Sequence, residues 1–139
     1  MKVKDMMHKG AEYVAPNATL EQVAKKMRDY DVGALPVCEG GKAIGIVTDR
    51  DVTIRGLANG KDISKLTAKD VMSKNVVHCR DTEDAEDALR IMEDNQVRRL
   101  PVLDEAQKLV GMVSLGDISH ALSQDLTGEV TKAVSAHHR

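Results

Sequence analysis

Two short stretches of the sequence place a hydroxyl and a carboxylate at a spacing that suits either a helix cap or a bound ligand. Thr48 is followed three residues later by Asp51, and Ser114 by Asp117. At a helix start the hydroxyl accepts a hydrogen bond from the amide of the acid, and the acid accepts one in return. The same helix end favours phosphate because its amides are free and its dipole is positive, and a carboxylate there can accept two hydrogen bonds from a ribose diol. The spacing leaves both interpretations open.

Arginines accompany both pairs. Arg50 lies inside the first pair, and Arg98 and Arg99 come before a Leu-Pro dipeptide upstream of the second. Adjacent arginines can bind a polyphosphate through paired hydrogen bonds, although a solvated strand edge explains them equally well. Arg50 is interpreted either as a phosphate contact or as a surface side chain. By charge alone, we expect the site near Arg98 and Arg99 to prefer ligands with more phosphates.

The two pairs belong to a unit that occurs twice. Three blocks recur in the same order, at an offset of 65 residues for the first two and 66 for the third. A nearly constant offset over separate blocks indicates a duplication, with one residue added in a turn. The recurring blocks are 4–7 with 69–72, 32–37 with 97–102, and 45–51 with 111–117.

Each copy predicts the element order β-α-β-β-α, preceded by a short helical turn. Thr19 with Gln22 has the spacing of a capping box, and Asp84 is a good N-cap for the corresponding helix. Apolar residues at i, i+3, i+4 and i+7 predict the buried face of each helix. These residues are Leu20, Val23, Ala24 and Met27 in the first copy, and Ala85, Ala88, Leu89 and Met92 in the second.

A pair of apolar strands around a turn follows each helix and predicts a hairpin. The predicted strands are 34–38 and 43–47 in the first copy, and 100–103 and 109–113 in the second. A last helix is predicted to begin near Asp49 and near Leu115. A brief strand is predicted ahead of each first helix, at 13–15 and 77–79.

One copy, with about 50 residues, buries too little surface to be comfortably stable alone. We therefore expect an α+β fold in which two β-α-β-β-α repeats pack with pseudo-twofold symmetry. The predicted divisions are 1–57 for the first repeat, 58–67 for a linker, 68–123 for the second repeat and 124–139 for a tail. The tail is predicted to contain a short amphipathic helix and a disordered end at 137–139, the helix on the spacing of Leu126, Val130, Ala133 and Val134.

Composition excludes several classes of function. The chain has 139 residues, a formal net charge of −2 and 42 % hydrophobic residues, which is enough for a core. Its aromatic residues are two tyrosines, so it lacks the stacking platforms that single-stranded nucleic acids use. No Lys/Arg block suits a phosphate backbone, and no apolar run suits a signal peptide or a membrane span. We expect a cytoplasmic protein that binds neither nucleic acid nor membrane.

No catalytic or metal-binding motif stands out. The sequence lacks the G-x-S-x-G, H-E-x-x-H and calcium-loop patterns, and His8, His78 and His120 are scattered singly. Cys38 and Cys79 form no C-x-x-C motif and are interpreted as small buried hydrophobic side chains, with a redox pair as the alternative. We therefore expect neither an enzyme nor a bound metal.

Both copies carry Leu-Pro-Val followed by Gly-h-h-[Thr/Ser]-x-x-Asp, where h is a hydrophobic residue. With this duplicated set, the chain resembles the cystathionine-β-synthase (CBS) domain, as the tandem pair called a Bateman module, over roughly residues 2–123. The resemblance implies a regulatory, non-catalytic module that requires no cofactor. It also implies an adenosine-containing ligand such as AMP, ATP or S-adenosylmethionine in the clefts between the copies, and a homodimer. Because the chain is short for an effector domain after the pair, we expect an effector protein reached in trans or a readout through the oligomeric state. A ligand-free interaction or scaffold module and a thiol sensor are the alternatives.

The resemblance also assigns roles by motif position. Asp51 and Asp117 would hold the ribose, and Thr48 and Ser114 would face the phosphate. Residues ahead of each first helix and around each Leu-Pro dipeptide would line the adenine pocket. These residues are Tyr13, Val14, Ala34 and Pro36 in the first copy, and Val77, His78, Arg98, Arg99 and Pro101 in the second.

Overall fold

The computed structural model describes residues 1–125, so the predicted tail helix and the predicted disorder at 137–139 lie outside the described residues. The described chain forms two compact units, each built from separated stretches of sequence. The Thr48 unit comprises Glu12–Val76 and Ala106–Leu109. The Ser114 unit comprises Met1–Ala11, Val77–Glu105 and the described residues from Val110 onward. The N-terminal segment therefore folds with the second copy of the motifs.

Helices and strands follow the predicted order, and the α+β class is confirmed. A π-helical turn, Val52–Leu57, continues the second helix, and short 3₁₀ turns lie at Val3–Asp5 and Ile63–Lys65. In chain order the other elements are β1 (His8–Lys9), α1 (Leu20–Tyr30), β2 (Ala34–Glu39), β3 (Lys42–Thr48), α2 (Asp49–Asp51), α3 (Ala68–Val71), β4 (Cys79–Arg80), α4 (Ala85–Asn95), β5 (Arg99–Leu103), β6 (Leu109–Ser114) and α5 (Leu115–Asp125).

The sheets of the two units are built on one hairpin each. In the Thr48 unit, β2 and β3 pair antiparallel, with Ala34 opposite Thr48. The strand predicted over 13–15 is reduced to one parallel bridge between Val14 and Val37, because Pro16 follows and has no amide hydrogen to extend the pairing.

The sheet of the Ser114 unit has four strands in the order β1-β6-β5-β4. Strand β1 runs antiparallel to β6, and β4 runs parallel to β5. The strand predicted over 77–79 is displaced by two residues at its start, because Cys79 and Arg80 are the residues that meet Val102 and Leu103 on β5.

The predicted caps start α1 and α4. The Gln22 amide donates to Thr19 Oγ1 at 3.1 Å, and the Thr19 amide donates to Gln22 Oε1 at 3.0 Å. The Asp84 amide donates to Asp87 Oδ2 at 3.2 Å. Burial follows the predicted faces, except that Leu89 is half-buried and Ala24 is exposed, so the prediction for Ala24 was wrong. The buried stripe of α1 runs through residues 20, 23 and 27, and Ala24 lies on its flank.

Aliphatic side chains form both cores, as a chain without Phe or Trp requires. No polar or charged residue among those described is buried. Val3 is completely buried in the core of the Ser114 unit, so the N-terminal segment is part of that core. No helix among residues 1–125 is long and apolar enough to cross a membrane. The largest fully buried side chains include Leu35, Val37 and Val47 in one unit and Leu100, Val102, Val113 and Ile118 in the other.

The glycine that opens the repeated Gly-h-h motif lets another segment lie against the hairpin. In the Ser114 unit, His8 and Lys9 pair with Met112 and Gly111 on β6. A Cβ on Gly111 would lie 2.6 Å from the His8 carbonyl oxygen and 2.7 Å from the Met7 sulfur. Side chains do not come this close, so the pairing of β1 with β6 requires glycine at position 111.

The Thr48 unit repeats this contact with the segment that follows α3. Ile46 and Ser73 exchange two main-chain hydrogen bonds, each 2.9 Å long. A Cβ on Gly45 would lie 2.5 Å from the Met72 sulfur and 2.8 Å from the Ser73 carbonyl oxygen. We call residues 1–9 and 67–73 the leading segments, because each precedes one copy of the repeat in sequence.

Both cysteines are buried. Cys38 lies in the Thr48 unit and Cys79 in the Ser114 unit, and their side chains are 4 % and 0 % exposed. Burial raises the pKa of the Cys38 thiol to about 11. Burial, followed by the negative charge of Glu83, raises the pKa of Cys79 to about 12. The prediction that they are small buried side chains is confirmed, and neither environment favours the thiolate that redox chemistry needs.

We expect Gly111→Ala and Gly45→Ala each to lower the free energy of unfolding by about 1–3 kcal/mol, because the new methyl group overpacks a main-chain contact. Urea unfolding followed by circular dichroism measures the change. Gly116→Ala is the control, since its Cβ would meet only Ser114 Oγ at an ordinary 3.6 Å. It should stabilise α5 by up to about 1 kcal/mol. Wild-type stability in Gly111→Ala would contradict the close approach.

We expect Cys38 and Cys79 to resist iodoacetamide in the folded protein at pH 8 and to react fully in urea. Their raised pKa leaves about one thiol in a thousand, or fewer, as thiolate. Because the folded pKa lies above the unfolded one, these thiols add stability below about pH 8.5 and lose it as the pH rises toward their folded values. Mass spectrometry counts the alkylated thiols, and rapid labelling of the folded protein would contradict the burial.

Candidate functional site

Thr48 and Asp51 form a closed box at the junction of β3 and α2. The Thr48 amide donates to Asp51 Oδ2 at 3.0 Å, and the Asp51 amide donates to Thr48 Oγ1 at 3.1 Å. The capping interpretation of this pair is therefore confirmed. The second oxygen of the acid, Oδ1, lies 3.9 Å from Nε of Arg55, one helical turn further along. The Asp51 side chain is 15 % exposed, so this oxygen is held at a partly covered surface.

Ser114 and Asp117 form the same box at the junction of β6 and α5. The Ser114 amide donates to Asp117 Oδ2 at 2.9 Å, and the Asp117 amide donates to Ser114 Oγ at 3.0 Å. The outward oxygen, Oδ1, lies 3.1 Å from Nε2 of His8 on β1. The Asp117 side chain is 18 % exposed, whereas His8 is 80 % exposed.

Each carboxylate thus divides its two oxygens between structure and surface. Oδ2 accepts from the main chain and fixes the orientation of the acid, while Oδ1 faces a basic side chain. A carboxylate oxygen can accept two hydrogen bonds, so each Oδ1 can accept from a ligand hydroxyl in addition to its present partner. We call each of these arrangements a hydroxyl–acid box.

The residues ahead of each Leu-Pro dipeptide meet the box directly. The Asp49 amide donates to the Gly33 carbonyl at 2.9 Å, and the Leu115 amide donates to the Arg98 carbonyl at 2.8 Å. Ala34 lies opposite Thr48 in the hairpin. The structure therefore brings the predicted site residues Ala34 and Arg98 to their boxes, Arg98 through its main chain.

The two helix starts differ in the amides that they leave for a ligand. In α2 the amides of residues 49, 50 and 51 donate to Gly33 O, Asp49 Oδ1 and Thr48 Oγ1. The expectation of free amides therefore fails at α2, because the Asp49 carboxylate takes up the Arg50 amide at 2.8 Å. Leu115 replaces Asp49 in the other copy. Since its side chain accepts no hydrogen bond, position 115 leaves the amide of Gly116 open.

A small cavity of about 110 Å³ lies beside the box of the Ser114 unit. It lies at the edge where β1, β5 and β6 meet the start of α5. A water molecule takes about 30 Å³ of liquid volume, so the cavity has room for a phosphate-sized group. Its lining residues are His8, Arg99, Met112, Val113, Ser114 and Asp117.

A larger open groove, of about 600 Å³, lies along α1 in the Thr48 unit. Tyr13, Val14, Lys26 and Tyr30 are among the residues that line it, whereas Thr48 and Asp51 are not. Lys26 Nζ donates to the Tyr13 carbonyl at 2.7 Å. The predicted adenine-pocket residues Tyr13 and Val14 therefore line this groove.

The remaining predicted residues differ in how deeply they are buried. Arg50 is exposed, and Pro36 and Pro101 are fully buried within their strands. Val77 packs against the core of the Ser114 unit, and His78 is half-buried. Arg99 is exposed and lines the small cavity.

Sequence reasoning missed the two basic side chains that face the outward oxygens. Arg55 follows Asp51 by four residues, which is the spacing of neighbours on a helix, so a local signal was present. It also donates from Nη1 to the carbonyls of Val71 and Met72, at 3.2 and 3.1 Å. His8 lies 109 residues from Asp117 in sequence, and its position after the recurring 4–7 block was the only hint.

The described part of the chain holds no cluster of metal ligands. Among residues 1–125, no group of three or more His, Cys, Asp or Glu side chains is placed to hold a metal ion.

Comparison with known proteins adds a family and several solved relatives. The CBS domain family matches the chain twice, over residues 3–55 and 68–124. Hypoxic response protein 1 of Mycobacterium tuberculosis is 36 % identical over 132 residues, which cover 94 % of this chain and 92 % of that protein. A crystal structure of Hypoxic Response Protein I with two coordinated zinc ions has a TM-score of 0.79, with 36 % identity over 88 % of this chain and 99 % of that one.

Two further solved structures are complexes with adenosine compounds. CBSX2 in complex with AMP has a TM-score of 0.75 and 26 % identity, over 89 % of this chain and 97 % of that one. The CBS domain pair of protein MJ0100, with 5′-methylthioadenosine and S-adenosyl-L-methionine, has a TM-score of 0.74 and 26 % identity, over 91 % and 98 %. With two family matches over most of its length and relatives of the same fold, the protein belongs to the CBS domain family, as a tandem pair.

Proposed function

We propose that this CBS pair is a regulatory, non-catalytic module that binds an adenosine-containing ligand at its two hydroxyl–acid boxes. The observation that carries the proposal is the outward Oδ1 of Asp51 and of Asp117, which the cap orients and which retains acceptor capacity. A ribose diol offers two hydroxyl donors close together, and a fixed carboxylate is a good acceptor for them. The complexes of CBSX2 with AMP and of the MJ0100 pair with two adenosine compounds support this ligand class.

The two boxes differ in the groups that they offer to a phosphate, and we infer that they prefer different members of that class. Around Thr48, the acids Asp49 and Asp51 balance the bases Arg50 and Arg55, and the first-turn amides of α2 are taken. Around Ser114, Arg99 lines a phosphate-sized cavity and Leu115 leaves a helix amide open. Positive charge and a free amide at a helix start attract phosphate, so the Ser114 box suits a nucleotide and the Thr48 box a less charged nucleoside.

A ligand regulates only if it binds one conformation of the protein better than another. We propose that such a signal passes to a partner protein in trans.

A second candidate function is a scaffold or interaction module that binds no ligand. One observation favours it, because both hydroxyl–acid pairs already have a complete structural role as helix caps. A thiol sensor has less support, since both cysteines are buried and burial raises the pKa of each.

We expect one or more of AMP, ATP, 5′-methylthioadenosine and S-adenosylmethionine to raise the melting temperature of the protein. A ligand at about 100 times its dissociation constant adds about 2.7 kcal/mol to the folded state. Asp51→Asn or Asp117→Asn keeps an acceptor for the cap but turns an amide outward. Each should therefore weaken binding at its own box by about 10- to 100-fold. Thermal unfolding and calorimetric titration measure the two effects.

Asp70→Asn is the matched control for these variants. Thr67 and Asp70 form a third hydroxyl–acid cap, in which the Thr67 amide donates to Asp70 Oδ2 at 2.8 Å. This cap starts α3 and belongs to neither candidate site. Asp70→Asn should lower the free energy of unfolding by the contribution of one cap and leave ligand affinity unchanged. Equal loss of affinity in all three variants would show that the boxes act only as structural caps. If none of the compounds bound, the scaffold function would be favoured.

We also propose a homodimer, which we expect to bury an apolar patch on the turn that continues α2. Ile54 and Leu57 are 47 % and 59 % exposed there, whereas the corresponding residues of the second copy are His120 and Ser123. Light scattering should give twice the mass of the chain for the wild type and the single mass for Ile54→Asp with Leu57→Asp. His120→Asp with Ser123→Asp should remain dimeric. A monomeric wild type would overturn the proposal.

A further inference from the structure

The outward oxygens of the two boxes face bases of different chemistry. Asp51 Oδ1 faces Arg55, a guanidinium that stays charged at every physiological pH. Asp117 Oδ1 faces His8, and histidine is the side chain whose charge ordinarily changes between pH 5 and 8. The strand position that corresponds to His8 in the other unit is Ser73, which cannot titrate in this range.

The position of His8 is set by the main chain and not by a flexible loop. Its backbone pairs with Met112 on β6, and its carbonyl lies against Gly111. Its imidazole then lies at the rim of the 110 Å³ cavity, within hydrogen-bond distance of Asp117. Asp117 from α5 and Arg99 from β5 line the same cavity, and so does Ser114, which lies at the junction of β6 and α5.

The net charge at the cavity depends on the imidazole. With neutral His8, the negative charge of Asp117 offsets the positive charge of Arg99. With protonated His8, one positive charge remains beside the Ser114 hydroxyl and the open amide of Gly116. Lys9, on the same strand, is the other charged neighbour in sequence, and Met112, opposite His8 on β6, contributes no charge.

We propose that His8 makes the Ser114 box a proton-dependent selector for phosphorylated ligands, whereas the Thr48 box does not respond to pH in this way. The inference rests on the proposed function and concerns how one of its two sites is regulated. Protonation of His8 adds attraction for a phosphate and adds none for an uncharged nucleoside. The imidazole also donates to the outward oxygen of Asp117 and so positions the group that accepts the ribose.

The expected effect is moderate because His8 is largely exposed. An exposed charge pair changes an equilibrium by up to about fivefold, and salt weakens it further. We therefore expect the preference for AMP over adenosine to increase about threefold between pH 8 and pH 6 at low salt.

The experiment measures the dissociation constants of AMP and adenosine by calorimetry at pH 8 and pH 6, in protein that carries Asp51→Asn to silence the Thr48 box. The comparison variant adds His8→Gln, whose amide nitrogen can take the place of Nε2 as a hydrogen-bond donor but never carries charge. Because the phosphate of AMP titrates equally in both proteins, its contribution cancels in the comparison. His8→Ala, which removes both the donor and the charge, separates positioning from protonation.

The expected result is a preference for AMP that rises at pH 6 in the protein with His8 and stays level in the His8→Gln variant. In the protein with His8, the rise should be lost at 0.5 M salt, a concentration that screens exposed charges. Weaker binding of both ligands in His8→Ala than in His8→Gln would support the positioning role.

Two other outcomes separate this inference from the proposed function. The same pH profile with and without His8 would overturn this inference and leave the proposed function intact. If wild-type protein bound neither adenosine nor any adenine nucleotide at either pH, the proposed function would fail and this inference with it.

Discussion

The main chain of a leading segment can reach the second hairpin strand only where that strand carries a glycine, and both units depend on this contact. Gly45 admits residues 72 and 73, and Gly111 admits residues 7 and 8. The contact closes the core of each unit, and it also supplies the surroundings of each box. In the Thr48 unit, Arg55 reaches the carbonyls at the end of α3. In the Ser114 unit, the leading segment itself carries the histidine that meets Asp117.

Local features of the fold could be predicted because local chemistry determines them. The caps at Thr19 and Asp84, the hairpins and the two hydroxyl–acid boxes each involve residues within a few positions of one another. Each unit contains the leading segment that precedes the other copy in sequence, and this arrangement could not be predicted. The reason is the distance along the chain, since Val3 shares a core with residues about 80 or more positions away. The proximity of His8 to Asp117 could not be predicted for the same reason. Assignment of the ligand roles remains a prediction, because the geometry establishes the boxes as caps and not their occupants.

The duplicated framework has diverged beside the boxes as well as in the cores, where the buried Leu20 and Val23 of the first copy correspond to Ala85 and Ala88 of the second. The main-chain links from Asp49 to Gly33 and from Leu115 to Arg98 are alike in both copies. The side chains at those positions differ in charge, and so do Ala34 and Arg99 next to the dipeptide Leu-Pro. Changes at exposed or half-exposed positions cost little stability. Changes at the exposed positions beside the boxes can therefore give two sites of different preference at little cost in stability.

The participation of residues 1–9 in the Ser114 unit has a consequence for biosynthesis. These residues leave the ribosome before the rest of the unit, and the other buried residues of the core that holds Val3 lie at positions 79–118. At roughly 5–20 residues per second, Val3 waits for several seconds without these partners. The residues that complete the Thr48 core, 14 to 72, are all synthesised earlier. The order of synthesis thus favours assembly of the Thr48 core before that of the Ser114 unit.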